Sequence, residues 1–139
     1  MRPESETGMT PPIPPAGPRI LIAEDEPAVA EMIAEVLRAR GYEVEMAADG
    51  AIALQLLAGA GCDMVLSDVA MPGFDGLALY RAVTERHPTL RGRFAFMSAV
   101  IPRPELMDLV ERRAVPLLRK PFVVSELVRL VERLLAVRR

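Results

Sequence analysis

From Arg19 onward, short apolar runs alternate with longer stretches in which apolar residues return every three or four positions. Arg19-Ile-Leu-Ile-Ala23 is the first run, and its length predicts a buried strand. Pro27 suits the first turn of a helix. Val29, Met32, Ile33, Val36 and Leu37 share one face of that helix, and Gly41 ends it. Tyr42 to Ala47 reads as the second strand. Asp49 is placed to cap a helix carrying Ile52, Leu56 and Leu57, which Gly59 and Gly61 stop. Asp63 to Ser67 is the third strand. A loop with Pro72, Gly73 and Gly76 leads into a helix holding Leu79, Tyr80 and Val83. Arg93 to Ser98 is the fourth strand. Pro102 and Pro104 open a short helix through about Arg112, and Val115 to Leu118 forms a short fifth strand. Ser125 is expected to cap the last helix, whose apolar face is Leu127, Leu130, Val131, Leu134 and Leu135.

Five strands alternating with five helices predict an α/β fold. The strands are apolar without strict alternation, as in a parallel sheet covered on both faces. Right-handed crossovers then place helices on both sides, and sites form where the carboxyl ends of the strands meet the loops. On this reading the first strand ends in Glu24-Asp25-Glu26, the third in Asp68, the fourth in Ser98-Ala99 and the fifth in Lys120-Pro121. Two carboxylates ~5 Å apart repel by roughly 3 kcal/mol at an effective dielectric of ~20. Such a cluster calls for a cation, and a hard divalent ion with oxygen ligands, magnesium above all, is the natural one. Lys120 can neutralise further charge, and Ser98 can donate to an incoming oxyanion. A carboxylate so placed is a plausible phosphoryl acceptor. Each residue alone has an ordinary explanation, as a loop charge, a cap or a surface lysine; their placement on one rim argues against coincidence.

The 139 residues fit one domain of roughly 150. A formal net charge of -2 speaks against an overall polyanion-binding character. No apolar run approaches the ~18–20 residues of a membrane span, and the N-terminus has no apolar signal core. The single cysteine, Cys62, offers neither an internal disulfide nor a zinc framework, so a cytoplasmic location is expected. Residues 1–18 hold six of the thirteen prolines and read as a flexible or semi-rigid tail, leaving residues 19–139 as the folded domain. His87, before Pro88, suits a helix end, Cys62 a packed position, and the methionines core filling. From Arg112 to Arg139 there are eight basic and two acidic residues. Cations near a helix C-terminus are ordinarily favourable. A protein partner, acidic or helical, is therefore expected on this side rather than nucleic acid.

The segments Ile20-Leu-Ile-Ala-Glu-Asp-Glu-Pro27, Asp63-Met-Val-Leu-Ser-Asp-Val-Ala-Met-Pro-Gly-Phe-Asp-Gly76, Phe96-Met-Ser-Ala99 and Lys120-Pro-Phe122 occur in this order. Together they resemble the receiver domains of bacterial two-component response regulators, from about Arg19 to Leu135. The resemblance implies a doubly wound (βα)5 fold, flavodoxin-like, with strand order 2-1-3-4-5. It implies Asp68 as phosphoacceptor. Glu24, Asp25 and Asp68, with the backbone carbonyl of Ala70, would hold Mg2+, Asp25 more directly than Glu24. Ser98 and Lys120 would follow the phosphoryl group, and the Lys120–Pro121 bond would be cis. The expected donors are a sensor histidine kinase, possibly a hybrid one, or a histidine phosphotransfer protein. The expected output is protein contact through the last helix-strand-helix face, towards an unspecified target. Only four residues follow Leu135, so no attached output domain is expected.

Ala70, Ala99, Val100 and Leu117 take the switch and tuning positions. Leu117 stands where the family often has Tyr or Phe, so the usual aromatic readout is not expected. Ala70 and Val100 offer no side-chain hydrogen bond to an attacking water, which predicts slow loss of the phosphoryl group. Two other readings exist. One is an aspartyl-nucleophile phosphatase of the haloacid dehalogenase type, which needs a second Asp at the position of Ala70. The other is a receiver-fold scaffold that works without phosphorylation, for which the atypical Leu117 speaks.

Overall fold

The computed structural model describes residues 17–59, 61–100, 103–112 and 115–136. Pro102 and residues 1–16 of the proline-rich stretch lie outside them, as do residues 113–114 and 137–139 of the basic segment. The elements are β1 (Arg19–Ala23), α1 (Pro27–Arg38), β2 (Glu43–Ala47), α2 (Gly50–Gly59), β3 (Met64–Asp68), α3 (Gly76–Arg86), a 3-10 turn (Pro88–Leu90), β4 (Phe94–Ser98), α4 (Pro104–Glu111), β5 (Leu117–Arg119) and α5 (Val124–Leu135). All strand pairings are parallel, in the order β2-β1-β3-β4-β5. The order reverses beside β1, which opens a crevice at its carboxyl end.

Successive residues of each strand point to opposite faces. On one face Ile20, Ile22, Val44, Met64, Leu66 and Met97 pack with Ile33 and Leu37 of α1 and Leu127, Val131 and Leu134 of α5. On the other, Leu21, Ala23, Val65, Phe94 and Phe96 pack with Leu57 of α2, Leu79 and Val83 of α3 and Leu106 of α4. Every residue of β3 and β4 is buried, which is why their sequences show no alternation. Each fully buried large apolar side chain contributes about 1.5–3 kcal/mol. Tyr80 stacks edge-on against Phe94 with ring centroids 5.1 Å apart, which ties α3 to the sheet.

Several expected details shift. Met32 on α1 and Ile52 on α2 are exposed, and the buried faces are instead Ala30, Ile33, Ala34 and Leu37, and Gly50, Ala53 and Leu57. Small residues carry much of both helix contacts, so a reading weighted to large side chains rotates the face. Ser125 does not cap α5. The cap and the helix start lie two residues earlier, with Val123 at the cap and its N–H donated to Glu126 Oε1 at 3.0 Å. The fifth strand is Leu117–Arg119, because Val115 turns into the core before pairing begins. The methionines divide: Met64, Met71 and Met97 are buried, while Met32 and Met46 are on the surface. Asp49 caps α2 through Ile52 N–H at 2.9 Å, Gly41 follows α1 with φ +94°, and His87 ends α3, as expected.

Gly76 opens α3 where a side chain could not fit. A Cβ there would lie 2.3 Å from the carbonyl oxygen of Asp68. Gly59, at the end of α2, has nothing within 4 Å of an added carbon. Gly76→Ala is expected to cost about 1–3 kcal/mol of stability, and Gly59→Ala to change it by less than about 1 kcal/mol. Urea unfolding curves of the three proteins test this; equal midpoints for both variants would contradict the packing described.

Candidate functional site

The parallel register brings four strand ends to one rim. Ala23 pairs with Ser67, Asp68 with Met97, and Ser98 with Arg119. Glu24, Asp68, Ser98 and Lys120 therefore surround the crevice at the carboxyl end of the sheet. Two loop bonds hold the rim: Glu24 N–H to the Ala47 carbonyl at 2.9 Å, and Lys120 N–H to the Ser98 carbonyl at 2.8 Å. The Lys120–Pro121 peptide is cis.

Glu24 and Asp68 are buried, at 2% and 8% exposure, while Asp25 is exposed. One carboxylate oxygen from each of the three lies within 4.8 Å of the others. The Lys120 ammonium donates to Glu24 Oε1 at 2.6 Å and lies 3.5 Å from Asp68 Oδ2. The second oxygen of Glu24 accepts the Glu26 N–H at 3.1 Å. Both Glu24 oxygens are thus engaged, and Asp25 has the freer carboxylate.

Burial pushes the Glu24 carboxyl above its ordinary range, against the Lys120 hydrogen bond and the Glu26 N–H that lower it. Burial raises Asp68 as well; Lys120 pulls it down, and Asp25 adds to the rise. For Lys120, burial favours the neutral form but is outweighed by Glu24 and Asp68, so its pKa is raised. The lysine stays charged, and the carboxylates remain short of positive charge. An oxygen-only set with carboxylates to spare and room at an exposed Asp25 fits Mg2+, which takes one or two carboxylates and retains waters. Glu24, Asp25 and Asp68 are the residues that could hold it.

Ser98 is buried on the rim, but its hydroxyl donates to the Val100 carbonyl at 2.7 Å and accepts the Val100 N–H at 3.3 Å. It is engaged with its own loop. Ala70, Met71 and Val100 line a groove of about 450 Å³ beside Asp25. Ala99 is exposed next to Ser98, and Leu117 is half-buried opposite Phe96. Sequence reasoning missed Asp75 and Arg103. Asp75 caps α3 through Ala78 N–H at 2.9 Å and pairs with Arg103 at 3.3 Å across the groove. An Asp followed by the helix that begins Gly76-Leu77 is a readable cap; nothing near Arg103 announces its partner. Cys62 donates to the Met64 carbonyl at 3.0 Å, and burial raises its thiol pKa. It is the packed residue expected, with no part in the rim.

This doubly wound sheet with an acidic crevice at its switch point defines a receiver domain of two-component systems. The chain belongs to the response regulator receiver domain family, which matches residues 20–132. It is 34% identical over 110 residues to the transcriptional activator protein PfeR of Pseudomonas aeruginosa, covering 79% of this chain and 35% of PfeR. It is 34% identical over 118 residues to the response regulator receiver protein CpdR of Brucella abortus, covering 84% of this chain and 96% of CpdR. The sensor kinase CckA of the same organism is 35% identical over 118 residues, 84% of this chain and 12% of CckA. The chain thus spans about a third of PfeR and an eighth of CckA, but nearly all of CpdR. Among solved structures, the non-phosphorylated HemR receiver domain of Leptospira biflexa matches with TM-score 0.77 and 29% identity over 88% of this chain and 97% of that one. The receiver domain of the hybrid histidine kinase CckA matches with TM-score 0.69 and 36% identity, covering 84% and 98%. The family typically binds Mg2+, with which the carboxylate cluster agrees.

The raised pKa of Asp68 has a consequence for stability. Ionised Asp68 costs folding free energy at neutral pH; the cost shrinks as pH falls through its raised folded value and is gone below the ordinary 3.8. Without divalent cations, Asp68→Asn is expected to unfold at a higher temperature than the parent at pH 7, the gap closing in acid. Magnesium should raise the parent's midpoint and leave Asp68→Asn nearly unmoved. A variant less stable than the parent at pH 7 would contradict this account.

Proposed function

We propose that this protein is a cytoplasmic phosphorylation switch in which Asp68 accepts a phosphoryl group from a phosphohistidine. The donor is a sensor histidine kinase, possibly a hybrid one, or a histidine phosphotransfer protein. The observation that carries this reading is the place of Asp68: at the end of the central strand, 3.5 Å from Lys120 and within reach of Glu24 and Asp25. In the transfer, an Asp68 oxygen forms the new P–O bond while the P–N bond of the phosphohistidine breaks. The electron pair of that bond leaves on the imidazole. Asp25, Asp68 and the Ala70 carbonyl, supported by Glu24, would hold Mg2+, which would supply charge neutralisation for the phosphoryl oxygens. Lys120 neutralises from the other side. Ser98 leaves its Val100 contacts to donate to the phosphoryl group, and this movement is the switch.

The readout is proposed on the β5–α5 side, where Leu117, Leu118, Arg129, Leu130 and Arg133 line a groove of about 350 Å³. Glu126 also lines it, but the two arginines outweigh that charge and, with the leucines, suit an acidic, partly apolar protein partner. Receiver-containing relatives such as CckA and CpdR point to histidine-kinase systems upstream. No helix among the described residues is long and apolar enough to cross a membrane.

Intact mass after incubation with Mg2+ and acetyl phosphate tests the acceptor. One added phosphoryl group is expected on the parent, and none on Asp68→Asn or without the metal. An adduct that persists in Asp68→Asn would move the acceptor elsewhere. Where the parent takes up nothing, a stable beryllofluoride complex separates a receiver that needs its own kinase from a scaffold.

The lifetime of the adduct is a separate test. Ala70 and Val100 line the groove beside the rim, and neither side chain can hydrogen-bond an attacking water. Ala70→Asn or Val100→Glu is expected to speed decay by roughly tenfold or more. Decay of the parent within seconds, unchanged by either variant, would refute this.

A further inference from the structure

Besides Asp25, the groove beside the rim carries two charged residues, Asp75 and Arg103, that the acceptor chemistry above does not use. It is lined by Asp25, Ala70, Met71, Asp75, Val100 and Arg103, among others. Val69 and Ala70, the two residues that follow Asp68, line it together with Asp25, so it adjoins the acceptor. Small phosphodonors are anions, and two carboxylates, Asp25 and Asp75, face them here. Arg103 is the one cation lining the groove among the described residues. Its side chain is 58% exposed, and its guanidinium meets Asp75 Oδ2 at 3.3 Å. An exposed pair of this kind is weak and readily exchanged. Asp75 does not depend on it, since its other oxygen is fixed by the Ala78 N–H. Arg103 can therefore leave Asp75 for an entering carboxylate, which a guanidinium grips with two parallel N–H bonds.

We propose that Arg103 is a donor-positioning residue that selects small acyl phosphates by holding their leaving carboxylate, with Asp75 as its resting partner. This rests on Asp68 being the acceptor. In the reaction, an Asp68 oxygen forms the P–O bond as the bond from phosphorus to the acyl oxygen breaks. The electron pair leaves on the acyl oxygen, giving a free carboxylate that pairs with Arg103; no proton transfer is needed. A phosphoramidate donor, whose leaving group is ammonia, gains nothing from Arg103.

The experiment compares acetyl phosphate with phosphoramidate by intact mass, at equal magnesium and below saturation, for the parent, Arg103→Ala, Arg103→Lys and Asp75→Asn. Asn keeps the cap oxygen for Ala78, so α3 is preserved. Arg103→Ala should lower the acetyl phosphate rate about fivefold relative to phosphoramidate, and Arg103→Lys should restore part of it. Asp75→Asn, which frees the guanidinium, should raise the same ratio. Were Arg103 and Asp75 only a structural tie between the helix starts, both losses would move both donors in one direction. That result, or an unchanged ratio in Arg103→Ala, overturns the proposal while leaving Asp68 as acceptor. A parent that takes a phosphoryl group from neither donor, or takes it elsewhere than Asp68, overturns the proposal together with the acceptor reading.

Discussion

The constraint on which the molecule turns is a shortage of positive charge at the carboxyl end of its sheet. Three carboxylates converge there, two of them buried, and Lys120 alone faces them at close range among the described residues. Burying a charge is costly unless it is paired, and one ammonium cannot pair with all three. The rim is therefore held in a state that favours whatever brings cations to it. A fold evolved for stability alone would replace one of these carboxylates. Here the deficit is retained, and the apolar layers on both faces of the sheet must outweigh it. That is the trade expected of a binding or reaction site rather than of a structural ion pair.

The sheet was the most legible part of the sequence. Parallel strands covered on both faces leave continuous apolar runs, and β3 and β4 show this plainly. Strand ends were legible too, because a carboxylate or lysine directly after such a run has to sit at the rim. Helix faces were less so. In α1 and α2 the contacts fall on Ala30, Ala34, Ala53 and Gly50. Small residues give weak hydrophobic signals but permit close approach. The start of α5 was misplaced for a related reason: Ser125 is a good cap in isolation, yet Glu126 satisfies Val123 from inside the helix. The Asp75–Arg103 pair was invisible, since two residues 28 apart meet only once α3 and α4 are docked side by side.

The two faces of the sheet are built unequally. α1 and α5 each bury four or five side chains in the layer that backs Glu24. α4 fully buries only Leu106, with Leu109 and Val110 partly buried against the same layer, and exposed pairs join Arg103 to Asp75 and Glu105 to Arg81. Exposed ion pairs contribute little, so α4 is held by fewer buried side chains than α1 or α5. The Ser98 hydroxyl lies between these regimes, at the end of a fully buried strand and bonded into the loop that leads to α4.

This asymmetry bears on how a switch can work with leucine at position 117. A bulky ring would report on Ser98 by occupying or vacating the space the hydroxyl leaves. Leu117 instead belongs to the same apolar layer as Phe96 and Leu106, and it also lines the β5–α5 groove. Any change in the loop after Ser98 that shifts Leu106 must repack this layer, because close-packed interiors do not deform smoothly. The repacking reaches the surface at Leu117 without a rotating ring. On the proposed reading, the apolar layer shared by Leu106, Phe96 and Leu117 would be the route from the acidic rim to the β5–α5 groove. It would run through a helix with a single fully buried side chain, and segments with few buried contacts open most readily.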